Sequence, residues 1–123
     1  MHSLVYKVCA ATAWQAATER GSYAGSSDDL RDGYIHLSTA DQLAGTLARH
    51  FAGQPDLVLI AFDARMLGDR LTWEPSRGGQ LFPHHYGPLA PNLARGCAPL
   101  LLAADGRHRL PKDLVKDSAE DMG

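Results

Sequence analysis

The sequence predicts a single α+β domain, with two main helices packed on a twisted, mostly antiparallel sheet of about five or six strands. Three observations predict it. The chain has 123 residues, the ordinary size of one domain around one core. The run Leu57-Val58-Leu59-Ile60-Ala61-Phe62 is apolar at every position, as in a strand covered on both faces. Two stretches carry helix caps and apolar stripes among several strand-like stretches. No internal repeat and no second domain are visible. Residues 1–104 read as the domain and 105–123 as a polar C-terminal tail.

From the N-terminus, Ser3 to Ala10 reads as a first strand. Leu4, Tyr6 and Val8 share one face, and Val5, Lys7 and Cys9 the other. A lysine in a strand is ordinarily an edge residue pointing at water; the alternative for Lys7 is a cation at a ligand. Thr12 to Arg20 reads as the first helix. Thr12 and Gln15 fit a capping box, Trp14 and Ala17 form an apolar stripe, and Gly21 stands at the stop. Gly21 to Arg31 is rich in Gly, Ser and Asp and reads as a surface loop, either a binding loop or a plain connection.

Asp32 to Gln42 is the most informative stretch. By alternation, Ile35 and Leu37 fall on one strand face and Tyr34, His36 and Ser38 on the other. Thr39 with Gln42 then fits a capping box, with Ser38 as a competing N-cap. A polar strand face running into a helix start, with its free N–H groups, can hold a polar or anionic ligand. It can equally be a solvated face and an ordinary cap. The helix continues to about Ala52 on Leu43, Leu47 and Phe51, with Gly45 weakening it. Arg49 and His50 suit its last turn as cations at the C-terminal dipole.

Leu57 to Phe62 is the central strand. Asp63 to Leu67 makes a short helical turn, stopped by Gly68. Leu71 to Glu74 alternates again, with Leu71 and Trp73 inward and Thr72 and Glu74 opposite. Pro75 to Pro91 reads as irregular. It contains the cationic loop Arg77-Gly78-Gly79 and the dense cluster Phe82-Pro83-His84-His85-Tyr86-Gly87-Pro88, whose prolines and glycines argue against a long strand. Cys97 to Ala103 suits a last strand. From about Asp105 the chain is polar.

Composition narrows the partners. Hydrophobic residues are 45% and charged residues 21%, with 12 basic and 14 acidic side chains giving a net charge of −2. Without a basic excess, nucleic acid is not the expected partner. No signal peptide and no apolar run of membrane-spanning length is present, so a cytoplasmic protein with reduced, buried Cys9 and Cys97 is expected. The six histidines show no ligand spacing and the two cysteines are isolated, so no metal is expected. Nor is there a nucleophile elbow. Anion binding is better supplied. Lys7, Arg77, the Gly78-Gly79 backbone and the helix start at Ser38 and Thr39 are donors, and Glu74 is a carboxylate opposite them. Ribose and pyrophosphate would suit such a set, so a small-molecule ligand is the expected partner. The oligomeric state is left open.

The run Gly33-Tyr34-Ile35-His36-Leu37-Ser38-Thr39, with Gln42, Asp56-Leu57-Val58-Leu59, Trp73-Glu74 and Phe82-Pro83-His84-x-Tyr86-Gly87-Pro88-Leu89, resembles the bacterial family called domain of unknown function 952. The match covers roughly Leu4 to Leu102. Trp14, Tyr23, Ser26 and Asp29 also fall where that family has such residues, and His85 departs from the apolar residue expected there. The resemblance implies no established activity. It implies a fold similar to that of the ADP-ribosyltransferases, which bind NAD in a cleft of a split β-sheet. Their matching positions here are Tyr6 or Lys7 on the first strand, then His36, Ser38 and Thr39, then Glu74. Neither Tyr6 nor Lys7 is the usual first-motif residue. On that resemblance NAD is a candidate substrate. His36, Ser38 and Thr39 would position ribose and amide, Glu74 would stabilise an oxocarbenium-like charge, and Arg77 would face phosphate. Lys7, Tyr34, His84 and Tyr86 complete the expected ligand-binding set, with His36 and Glu74 as the catalytic candidates. The alternative is a non-catalytic domain binding a nucleotide or anion in the same cleft.

Overall fold

Strand β3 (Leu57–Asp63) lies between β1 (Leu4–Ala10) and β6 (Ala94–Leu102), antiparallel to both. A computed structural model describes residues 4–115 of the chain. The apolar run is the interior strand that its composition demanded: Leu59, Ile60, Ala61 and Phe62 have no exposed surface. Alternation splits its side chains between two cores. Ile60 and Phe62 pack under α1 (Ala11–Arg20), against Trp14 and Ala17. Leu57, Leu59 and Ala61 pack under α3 (Leu43–His50), against Leu43 and Leu47. Trp14 meets Phe62 edge to face at 6.3 Å.

A second antiparallel sheet is built from β2 (Ile35–His36), β5 (Leu81–His85) and β4 (Leu71–Pro75), in that order. Proline explains how the two sheets join. The Leu37 N–H donates to the Pro83 carbonyl at 3.0 Å, but the proline ring has no N–H to return. Pairing between β2 and β5 ends there. One residue on, Ser38 exchanges backbone hydrogen bonds of 2.8 and 2.9 Å with Tyr6 of β1. The result is one α+β domain with a curled antiparallel sheet and a few helices.

Several expectations are corrected. The polar stretch Gly21 to Arg31 is not all loop, because α2 (Ser27–Asp32) begins within it and runs one residue beyond its end. Ser26 Oγ accepts the Asp29 N–H at 3.2 Å, and Asp29 Oδ2 accepts the Ser26 N–H at 2.8 Å, a capping box hidden in a polar composition. The Thr12–Gln15 box does not form, because α1 starts one residue earlier on an Ala10 cap with no side-chain bond. The Thr39–Gln42 box does form, with Gln42 Oε1 accepting the Thr39 N–H at 3.0 Å, although the first turn, Ala40–Gln42, is 3₁₀. Ser38 is not the cap.

The stretch Pro75 to Pro91 is not irregular throughout, since β5 runs through Pro83 itself. Trp73 points outward, 36% exposed. Leu71 packs against the core as expected, Thr72 is exposed and Glu74 is half-buried opposite Phe82, so neither face of β4 is wholly inward. Lys7 is no edge residue in water; it is buried. Cys97 is exposed, Cys9 is buried, and both are free thiols.

The last strand starts at Ala94, and a further short one, β7 (His108–Arg109), pairs with it. Leu110, Leu114 and Val115 pack on the core, and the Tyr6 hydroxyl donates to the Leu114 carbonyl at 3.0 Å. The start of the stretch read as a tail is therefore folded against the domain; residues 116–123 lie outside the described residues. No helix among the described residues is long and apolar enough to cross a membrane.

Candidate functional site

A cleft of about 260 Å³ opens between α2, β2, α3 and the hairpin of β4 and β5. Of the residues expected at a site, Lys7, Tyr34, His36, Ser38, Arg77 and His84 line it. Alternation along β2 brings Tyr34, His36 and Ser38 to one side, while Ile35 and Leu37 enter the core. Thr39, 1% exposed, serves the cap and does not line the cleft. Glu74 and Tyr86 stand behind its wall.

The floor is built on Asp29, which composition alone left in a loop. Its carboxylate is 2% exposed and accepts two hydrogen bonds at each oxygen. Oδ2 takes Lys7 Nζ and the Ser26 N–H, both at 2.8 Å. Oδ1 takes the His36 N–H at 3.0 Å and faces His36 Nδ1 at 2.6 Å. Burial alone would raise the Asp29 pKa. The His36 ring and the Lys7 charge outweigh it and hold the carboxyl well below the usual carboxylate range. An ionised carboxylate only accepts, so Nδ1 carries a proton in this contact. His36 Nε2 lies 3.0 Å from Asp32 Oδ2, and Asp32 Oδ1 receives Arg31 Nε at 3.0 Å. Cationic and carboxylate groups thus follow one another from buried Lys7, past the His36 ring, to exposed Arg31.

Above this floor stands a layer of rings. Tyr34 stacks on His84 with centroids 4.0 Å apart and planes 20° from parallel, and meets His36 at 4.7 Å and Tyr86 at 5.4 Å. His84 Nδ1 lies 2.8 Å from Glu74 Oε1, and the Tyr86 hydroxyl donates to both Glu74 oxygens at 2.8 and 3.0 Å. The bond from His84, then that from Tyr86, lowers the Glu74 pKa, while the same Glu74 contact raises that of Tyr86. His36 and His84 are therefore each held at Nδ1 by a carboxylate, with ring centroids 5.7 Å apart. His85, next in the strand, points the other way and bonds the Gly87 carbonyl.

The opposite wall is cationic. Arg77 sits in the β4–β5 turn, where Gly78 and Gly79 take φ of 67° and 78°, a region that glycine enters without strain. Its guanidinium lies 4.9 Å from the Phe82 ring centroid. Among the described residues no carboxylate pairs with it. Thr46 and His50 of α3 line the same side, and Ser38 Oγ meets Thr46 Oγ1 at 2.9 Å. His50, read as a dipole cation, faces the cleft as well. Among the described residues no group of three or more His, Cys, Asp or Glu side chains is arranged to hold a metal ion.

Sequence reasoning from residue patterns missed Asp29, Asp32, Thr46 and His50 as cleft residues. Ser26-x-x-Asp29 was the available signal for the first two, since a cap there starts a helix that carries both carboxylates. Thr46 and His50 are four apart on α3 and so share a face.

A curled antiparallel α+β domain whose cleft is floored by a buried carboxylate defines the class of this protein. Residues 8–94 match the protein family of unknown function DUF952, and the chain belongs to that family. The fold is shared with the crystal structure of protein CC0527 from Caulobacter crescentus. That protein is 46% identical over 91% of this chain and 98% of that one, with a TM-score of 0.87. The crystal structure of its double mutant aligns at 45% identity with the same TM-score, 0.87. Its solution NMR structure aligns at 46% identity over 90% of this chain and 96% of that one, with a TM-score of 0.80. No curated protein matches the sequence.

Proposed function

We propose that the cleft binds NAD or a related nucleotide, in an architecture like that of the ADP-ribosyltransferases. One observation carries this reading. A guanidinium with no carboxylate partner among the described residues, a stacked aromatic layer and hydroxyls at Ser38 and Thr46 line the same cleft. These are the groups that phosphate, a flat base and ribose respectively need. The volume of about 260 Å³ falls just under the usual small-molecule range of roughly 300–1,000 Å³. It suits one mononucleotide half, with the remainder of a dinucleotide in the open mouth. The base or amide ring lies toward Tyr34 and His84, the ribose at Ser38 and His36, and the phosphate at Arg77. Lys7 contributes through Asp29, and Thr39 through the cap behind Ser38.

Glycosyl transfer is the second reading, favoured by Glu74. Its ionised carboxylate supports His84, which lines the cleft, and negative charge there would stabilise an oxocarbenium-like centre. Calorimetric titration of NAD, ADP-ribose and AMP tests the binding. Wild type should bind at least one of them, and His36→Ala or Arg77→Ala should weaken it about tenfold or more, the value of a lost bond to a charged group. If none binds at millimolar concentration, the nucleotide reading fails. Chromatographic detection of nicotinamide released from NAD, present in wild type and absent in Glu74→Gln, separates transfer from binding alone.

A further inference from the structure

Gly45 stands in the middle of α3, where glycine weakens a helix. The structure supplies a reason for it. A Cβ at Gly45 would lie 2.9 Å from one terminal guanidinium nitrogen of Arg77 and 3.5 Å from its central carbon. The guanidinium rests against α3 in the space that any other residue would fill, with the Phe82 ring at 4.9 Å beside it. Thr46 and His50, the cleft-lining residues of α3, stand one and five positions along the same helix.

The charges of the cleft also differ from wall to wall. On the α2 side Asp28, Asp29 and Asp32 are paired with Arg31 and Lys7, whereas on the α3 side Arg77 has no carboxylate partner among the described residues and stands with His50. An anion entering the cleft meets paired charges at the first wall and an unpaired guanidinium at the second. We infer that Gly45 is the positioning residue of an anion subsite formed by Arg77, Thr46 and His50 on α3. The ligand it takes bears a phosphate or pyrophosphate group, whose other end lies toward Tyr34 and His84. The inference rests on the nucleotide reading of the cleft and gives the ligand its direction.

Gly45→Ala tests it, because stability and binding should move in opposite directions. The contact is with the far end of a flexible side chain, so the alanine is accommodated by displacing the guanidinium. The helix gains propensity, and Tm should rise by roughly 3–6 °C. The titrated ligands are inorganic pyrophosphate, AMP and its phosphate-free counterpart adenosine. Gly45→Ala and Arg77→Ala should each weaken pyrophosphate and AMP about tenfold or more, while adenosine stays within about twofold of wild type. Pyrophosphate and AMP binding that is unchanged in Gly45→Ala, or adenosine binding lost equally with AMP, would overturn the inference. Pyrophosphate bound by wild type but not by Gly45→Ala, with no nucleotide bound at all, would keep the subsite and remove the nucleotide reading. If neither pyrophosphate nor any nucleotide binds wild type, both fall together.

Discussion

Lys7 Nζ and Asp29 Oδ2 stand 2.8 Å apart, with side chains only 5% and 1% exposed. An ion pair so removed from water gains little over an apolar pair of the same shape, but breaking it from one side leaves a buried charge alone. The two sides are unequal. Without Lys7, Asp29 keeps the Ser26 and His36 donors; without Asp29, the α2 cap and His36 Nδ1 lose their acceptor, and Lys7 is left with the His36 carbonyl alone, at 3.2 Å, and no counter-charge. Asp29→Ala should therefore cost about 3–5 kcal/mol, and Lys7→Met clearly less. Urea unfolding of both variants checks the order, and a Lys7 variant that proves the weaker of the two would refute it.

The same carboxylate gives stability a pH dependence. Asp29 holds its proton less tightly in the folded chain than in the unfolded one, where its pKa is near the ordinary aspartate value of 3.8. The unfolded state therefore takes up the proton first as pH falls. The stabilisation is complete above about pH 5 and is lost progressively below pH 4. Asp63 and Glu74, also lowered, tilt the curve the same way. Urea midpoints at pH 7, 5 and 3 should fall toward acid, and should fall less steeply in Asp29→Asn.

The two thiols should behave as different reagents. Burial pushes the Cys9 pKa up to about 11 against the pull of the Lys7 charge, so almost no thiolate exists at pH 8. Cys97 is exposed on β6, although partial burial raises its pKa as well. A colorimetric thiol titration of the folded protein should show one equivalent reacting readily and the second only after denaturant is added. Two equal fast equivalents would mean that the strand carrying Cys9 is not packed as described.

What could be read from residues alone follows the range over which each signal acts. Leu57 to Phe62 announced an interior strand because six apolar side chains in a row leave no wet face. The Tyr34/His36/Ser38 face followed from alternation, and the Thr39–Gln42 box from a spacing of three residues. Lys7 defeated the reading because its partner is 22 residues away, and nothing local distinguishes a paired lysine from a solvated one. Strand β5 was hidden by Pro83, which is tolerated where it stands because β2 leaves β5 at that point. Glu74 was read as a catalytic candidate and Tyr86 as a ligand residue by kind and by resemblance. Which side of β4 faces the cleft depends on its register with β5, and register is not written in either strand alone.

The exit of β2 from β5 at Pro83 divides the cleft between two bodies. Tyr34, His84 and Arg77 travel with the smaller sheet and its hairpin, whereas Lys7 and Ser38 are fastened to the larger one. Among the described residues, the strand pairing between the two sheets runs through Ser38 and Tyr6. A molecule that touched Arg77 and Ser38 at once would act as a rivet across that seam. Its arrival would be felt as stiffness in the hairpin before any chemistry took place.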